Sequence, residues 1–252
     1  MSFISAHPIA AIALLLVAAA AVVVGRFVLK IHRKDPTVWA GEMRRFDKFD
    51  RRDGVPSDVI VFTGSSSIRY WSTLATDMSP LPVLNRGFGG SQIDDVTYYA
   101  ERAILRYKPK AIVFYAGEND MAGVLWSSKK TPEQVRDAFR AFCKKIFASA
   151  PDTPIYFISI KPPKRRIAEW PQMRAANRLI RDYCASDQRL HYIDIVPPMS
   201  DPQGNPRGDL YSWDGIHMNA QGYAIWTSAV KPALVKAATL PRFNEVARAA
   251  EL

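Results

Sequence analysis

The hydrophobic pattern divides the chain near residue 30. From Met1 to Gly25 there is no Lys, Arg, Asp or Glu, and Pro8–Gly25 is an 18-residue apolar run. A helix of that length nearly spans the roughly 30 Å hydrocarbon layer of a membrane. Phe27, Val28 and Leu29 extend it if Arg26 snorkels toward the headgroups. A retained single-span anchor is the leading reading. A cleaved signal peptide would carry a positive segment ahead of the apolar run, which is lacking here, and a buried core helix is rarely so uniformly apolar.

Beyond the first 50 residues the pattern changes to short apolar runs alternating with longer amphipathic stretches. Val59–Phe62, Val83–Leu84, Ala111–Tyr115, Ile155–Ile160 and Tyr192–Ile195 read as strands. Ile93–Arg106, Pro132–Ala150, Gln172–Ser186 and Ala220–Ala237 read as helices. Such short, β-branched runs between helices predict an α/β fold, a parallel sheet with helices on both faces. Its ligand crevice would lie beyond the carboxyl ends of the strands. Pro197–Gly208 reads as a long loop. Trp39, Met43, Phe46 and Phe49 recur at helical spacing. They predict a helix that packs its stripe on the domain, with an interfacial lipid-binding helix as the alternative.

Composition narrows the function classes. At 252 residues, 48% hydrophobic and 23% charged, the chain is long enough for a core of its own and is not disordered as a whole. Its two cysteines, Cys143 and Cys184, stand far apart and outside any CxxC, which excludes a zinc ribbon, an iron–sulfur site and a disulfide scaffold. With only His7, His32, His191 and His217 there is little room for a His-rich metal site.

The net charge of +10 is placed unevenly. Residues 26–52 hold nine basic and four acidic side chains, so half of the excess adjoins the apolar run. That location fits an anionic membrane surface better than nucleic acid, and no RNA-binding or zinc-finger pattern accompanies it. Arg26, Lys30, Arg33 and Lys34 follow the span and no charge precedes it. The positive-inside rule therefore favours a C-terminal domain on the cytoplasmic side. A periplasmic or extracellular domain is the alternative, because uncleaved N-terminal anchors often hold domains outside.

Small polar clusters stand at three expected strand ends: Thr63-Gly64-Ser65-Ser66-Ser67, Asn85-Arg86-Gly87-Phe88-Gly89-Gly90 and Ala116-Gly117-Glu118-Asn119-Asp120. Asp214-Gly215-Ile216-His217 precedes the last helix. The chemistry that fits is acyl transfer. A serine hydroxyl needs a histidine to take its proton, and a carboxylate to orient that histidine. Asp214 and His217 are three residues apart, within one tight turn. His7, His32 and His191 lack such a partner, which leaves His217. Backbone around Gly90, the Asn119 amide and the nucleophile's own N–H could serve the oxyanion. Taken singly, each cluster reads as a turn, a helix cap or a structural histidine. The glycines do not form GxGxxG, and there is no GK[ST]. Tyr211 and Trp213 read equally as subsite or as core. Arg86 and Arg69 lie near the expected crevice and could meet an anionic substrate, although solvation suits Arg69 better.

In order and spacing these clusters resemble the blocks of the SGNH hydrolases, also called the GDSL esterase/lipase family, over about Asp58 to Leu234. The resemblance aligns Ser66 with the nucleophile, Gly90 and Asn119 with the oxyanion donors, and Asp214 and His217 with the acid and base. It implies a three-layer α/β/α, flavodoxin-like parallel sheet and metal-independent ester hydrolysis without a cofactor. The usual Asp before the nucleophile is Ser65 here, and the GxSxG elbow of α/β-hydrolases is absent.

The expected organisation is an apolar anchor (1–30), a basic juxtamembrane segment (31–54), a hydrolase domain (55–240) and a tail (241–252). The expected substrate is a lipid, lysophospholipid or short-chain acyl ester. Carbohydrate O-acetylesterase or thioesterase activity is the alternative within the family, and an inactive binding module the alternative outside enzymes.

Overall fold

The computed structural model describes residues 7–32, 35–123 and 127–238, with side chains at 10–29, 35–123 and 127–236. The expected tail (241–252), with Arg33 and Lys34 of the basic collar, lies outside the described residues.

Five strands, β1 (Ile60–Gly64), β2 (Val83–Gly87), β3 (Ala111–Tyr115), β4 (Ile155–Ile158) and β5 (Leu190–Ile193), form one parallel sheet in the order β2-β1-β3-β4-β5. Every residue of β1 and β3 is buried, as a sheet covered on both faces requires. Side chains alternate between two core layers. Val61, Ile112 and Phe114 pack with Ile93, Phe139, Phe142 and Met173, whereas Phe62, Val113 and Tyr115 pack with Trp71, Trp226 and Val230.

The helices are α1 (His7–His32), α2 (Ala40–Asp53), α3 (Ser66–Arg69), α4 (Leu74–Met78), α5 (Ile93–Tyr98), α6 (Ala100–Ala103), α7 (Glu118–Ala122), α8 (Pro132–Ser149), α9 (Trp170–Cys184) and α10 (Ala220–Ala238). Residues from α2, α5, α6, α8 and α9 join the first core layer, and residues from α3, α4 and α10 the second. The chain thus forms the three-layer fold expected. Within α1, Ala10–Leu29 has a mean hydropathy of 2.6 and is unburied, long and apolar enough to cross a membrane.

The strand order reverses between β1 and β3, since the chain passes from β1 outward to β2 and then back to β3 on the other flank. A crevice opens at the carboxyl ends of strands at such a switch point. α3 follows β1 there, and α7 follows β3.

Most strand and helix ends shift by one to three residues, β4 stopping at Ile158 and β2 running on to Gly87, and two elements depart further from the sequence expectation. The helix expected over Ile93–Arg106 breaks into α5, α6 and a 3₁₀ turn, Leu105–Tyr107. The first break falls at Tyr99, which turns its hydroxyl to the Pro36 carbonyl at 3.0 Å and its ring edge to Phe88. β5 spans Leu190–Ile193 rather than Tyr192–Ile195. Beyond Ile193 the backbone leaves the ladder for side-chain partners: the Ile195 amide donates to Ser159 Oγ and the Val196 amide to Asp194 Oδ1.

α2 forms where the apolar stripe predicts, burying Met43 and Phe46 in the first core layer. Its Asp50 accepts from Arg86 Nη2 at 2.6 Å and from the Tyr107 hydroxyl at 2.7 Å. This corrects the expectation for Arg86. The side chain is buried in an ion pair and stacks over Phe46 and Tyr107, out of a substrate's reach.

Candidate active site

Ser66 is carried by the turn from β1 into α3. Gly64 has φ +127°, and a β-carbon there would meet the Tyr115 carbonyl oxygen at 1.9 Å, so only glycine lets β1 pass this close to β3. The Ser65 amide donates to the same carbonyl at 2.9 Å. Ser65 takes the N-cap position and Ser66 the first turn of α3.

Hydrogen bonds tie the three strand ends together. The Gly64 carbonyl accepts the Phe88 amide at 2.9 Å and the Ser91 hydroxyl at 3.2 Å, and the Ser91 carbonyl accepts Asn119 Nδ2 at 3.1 Å. A β-carbon at Gly89 would stand 3.8 Å from Ser66 Cβ, which puts the glycine-rich turn beside the serine. Gly90 has φ +78°. The backbone N–H groups of Ser66 and Gly90 have no acceptor among the described residues. Asn119 keeps its second amide hydrogen, because only one is used by Ser91.

His217 approaches from the turn before α10. Its Nε2 lies 2.9 Å from Ser66 Oγ, and its Nδ1 lies 2.5 Å from Asp214 Oδ2. The turn is closed by the Ser212 amide on the His217 carbonyl and the Gly215 amide on the Ser212 carbonyl. Asp214 Oδ1 accepts the amides of Ile216 and His217, both at 2.9 Å. Desolvation raises the Asp214 pKa, but the two amides and the imidazole outweigh it and lower the carboxyl to about 2. The edge of Tyr70 meets the imidazole ring at 4.8 Å between centroids. The five residues singled out by sequence, Ser66, Gly90, Asn119, Asp214 and His217, therefore converge on one crevice. Tyr211 lies in the core with its hydroxyl on the Pro162 carbonyl, whereas Trp213 is 97% exposed.

Sequence reasoning missed a charged layer behind Asn119. Glu118 is buried, and two cations share it: Lys161, only 1% exposed, and Arg166, whose Nη1 is 3.0 Å from Glu118 Oε1. The same Nη1 donates to Asn119 Oδ1 at 3.2 Å, which fixes the amide with its Nδ2 toward the Ser91 carbonyl. Desolvation opposes ionisation of Glu118, yet Lys161 and Arg166 hold its pKa below the ordinary value. The available signal was positional: Lys161-Pro162-Pro163-Lys164-Arg165-Arg166 follows β4 at the crevice end of the sheet.

A second missed contribution comes from the segment ahead of the sheet. Trp39 packs on Phe88, and its ring would be 3.0 Å from a β-carbon at Gly90. Glu42 of α2 pairs with Arg69, three residues after Ser66, at 3.0 Å. That ion pair, rather than solvation alone, accounts for Arg69.

The model of the GDSL-like Lipase/Acylhydrolase family matches residues 53–225. The chain belongs to this family. It is accordingly a serine esterase, a carboxylic ester hydrolase. The matched stretch begins after Trp39 and Glu42, so the contacts they make with the site come from outside it. A comparison with curated proteins found no match.

Among solved structures, a GDSL-like lipase from Bacteroides thetaiotaomicron is similar with a TM-score of 0.68 and 18% identity, covering 77% of this chain and 98% of that one. A Streptococcus pneumoniae protein provisionally described as a platelet activating factor gives 0.69 and 17%, covering 86% and 99%. A variant of an acetyl-xylooligosaccharide esterase from Geobacillus gives 0.56 and 13%, covering 69% and 93%. At these identities the likeness is one of fold.

Proposed function

We propose that this GDSL-family esterase works through an acyl-enzyme on Ser66, held at a membrane surface by its N-terminal helix. The observation that carries the reading is the continuous line Ser66 Oγ, His217 Nε2, His217 Nδ1 and Asp214 Oδ2, with spacings of 2.9 and 2.5 Å.

In the first half-reaction Ser66 Oγ attacks the ester carbonyl carbon while its proton passes to His217 Nε2. Asp214 holds Nδ1–H and stabilises the imidazolium. The carbonyl oxygen becomes an oxyanion that accepts from the N–H groups of Ser66 and Gly90 and from Asn119 Nδ2. The alcohol leaves with the proton from His217. Water then repeats the sequence: His217 takes its proton, the hydroxyl adds to the acyl carbon, and the acid departs as the proton returns to Ser66. The three donors supply most of the oxyanion stabilisation, each worth about 2.7–4 kcal/mol in such sites.

The substrate is an acyl ester, either lipid or lysophospholipid, or of short chain. The apolar helix supports a lipid, since it would keep the crevice near a bilayer, and the exposed Trp213 beside Asp214 adds an apolar rim. The second reading, a carbohydrate O-acetylesterase, draws on the likeness to the acetyl-xylooligosaccharide esterase. The organisation we propose is an anchor over 1–30, a juxtamembrane segment over 31–54, a hydrolase domain over 55–240 and a tail. The basic residues after the helix favour a cytoplasmic domain, which a C-terminal reporter fusion tests.

The reaction is tested with the full-length protein in detergent on chromogenic esters of graded acyl length. Ser66→Ala should abolish turnover at every length, and turnover retained at the original rate would refute the assignment.

A further inference from the structure

Lys164-Arg165-Arg166 is a basic run that the reaction above does not use, and it bridges the two sides of the crevice. At one end Arg166 Nη1 touches the Asn119 amide oxygen at 3.2 Å, beside the expected oxyanion position. At the other end the Arg165 amide donates to the Gly215 carbonyl at 3.0 Å, inside the turn that carries Asp214 and His217. The three residues therefore stand between the oxyanion donors and the general base.

The charges here do not balance. Glu118 is the carboxylate shared by Lys161 and Arg166, so this buried cluster holds two cations on one anion. Asp214 is committed to His217 and Glu42 to Arg45 and Arg69, while Glu169 pairs with Lys129 and also feels the Arg166 charge, so that Lys129, Lys161 and Arg166 outnumber Glu118 and Glu169 by one. Arg165 has no acidic partner among the described residues, and Lys164 Nζ meets only the Gly208 carbonyl, at 3.3 Å. The Arg166 side chain is 18% exposed, and only its Nη1 has a protein acceptor among the described residues. Its Nε and Nη2 donors remain for a ligand, and that half of the guanidinium fork matches two oxygens of a phosphate or carboxylate. A partly buried cluster with one cation in excess favours an anion far more than an exposed cation does.

We propose that Arg166, with Arg165 and Lys164 at its rim, forms an anion subsite, so that the preferred substrate is an ester whose alcohol part carries a phosphate or carboxylate. This rests on the ester-hydrolase reading and names its substrate class. The anion lies on the leaving alcohol's side, and departs with it.

The experiment compares matched butyryl esters on the full-length protein: 1-butyrylglycerol 3-phosphate, a butyryl ester of a hydroxy acid, and uncharged 1-butyrylglycerol. The expected result is a kcat/KM at least tenfold higher for one or both anionic esters, a preference that shrinks with rising salt. Arg166→Gln should bring the ratio close to one. Arg166→Lys, which keeps charge without the fork, should retain part of it, and Arg165→Gln should lower it about threefold by loss of long-range attraction. The phosphate and carboxylate arms tell the two anions apart. Adding a long-chain lysophosphatidic acid in mixed micelles tells a lipid headgroup from a soluble phosphate.

No preference in the wild type, or equal losses on charged and uncharged esters in Arg166→Gln, would overturn the subsite and leave Arg166 as the residue that orients Asn119. Calorimetric titration of Ser66→Ala with glycerol 3-phosphate, with glycerate and with glycerol gives a readout that needs no turnover. Saturable binding of at least one of the two anions but not of glycerol, weakened tenfold or more by Arg166→Gln, is expected. Binding of neither anion, or of glycerol equally well, would overturn the proposal even if the ester hydrolysis itself stands.

Discussion

The indole of Trp39 stands over Gly90, so close that a β-carbon on that glycine would lie 3.0 Å from the ring. Gly90 also sits at φ +78°, where a side chain costs about 1–3 kcal/mol. A residue from the segment that joins the apolar helix to the domain thus backs the proposed oxyanion donor. Trp39→Ala should lower kcat about tenfold with little change in KM, because the loop loses its support while the crevice stays open. Gly90→Ala should cost more, about a hundredfold, by pressing on the ring and twisting the N–H away from the oxyanion. Steady-state kinetics on one short-chain ester would show the split. An equal rise in KM for both variants would mean that Trp39 contacts substrate instead.

Asp214 is ionised well below the ordinary carboxylate range. A depressed carboxyl contributes stability that is fully present above about pH 4 and is lost as pH falls toward about 2. Asp214→Asn should remove that part of the acid sensitivity from unfolding curves taken between those limits. The same variant should lower kcat by a factor on the order of 10⁴, since an amide holds the imidazole in the wrong tautomer. An unchanged acid unfolding profile would show that the carboxylate draws no stability from the turn.

Lys161 is buried at 1% exposure against Glu118. Removing the carboxylate leaves that cation uncompensated, and breaking such a pair from one side costs about 3–5 kcal/mol. Glu118→Gln should therefore destabilise the fold by about that amount in urea, and also reduce kcat, because Arg166 loses its hold on Asn119. Stability within 1 kcal/mol of the parent would show that water reaches Lys161.

How far the sequence led depends on what each position required. Strands buried on both faces leave uninterrupted apolar runs, so β1 and β3 and the clusters at their ends could be read directly. α8 was legible to within a residue from its amphipathic pattern, and in the structure a capping box of Thr131 and Gln134 fixes its start at Pro132. The break at Tyr99 was not, because its cause is a contact with Pro36 more than 60 residues away. Arg86 misled for the same reason, since its partner Asp50 lies on α2. Arg166 carries no periodic or motif signal, and only the end of β4 marks its place.

Cys143 and Cys184 are unpaired and buried. Burial pushes the Cys184 thiol up to about 12 and Cys143 well above its ordinary value, so neither forms the reactive thiolate near neutral pH. Iodoacetamide at pH 8 should modify neither in the folded protein and both in denaturant. Rapid labelling of the native chain, followed by mass spectrometry, would show that α8 and α9 open locally.

The assignment of Ser66 as nucleophile is tested most directly by a fluorophosphonate probe on the folded, full-length protein, with the labelled peptide identified by mass spectrometry. The expected result is one phosphonyl group per chain, on Ser66, absent from Ser66→Ala and strongly slowed in His217→Ala. Modification of Ser65 or Ser67 instead, or a folded chain that takes up no probe, would contradict it.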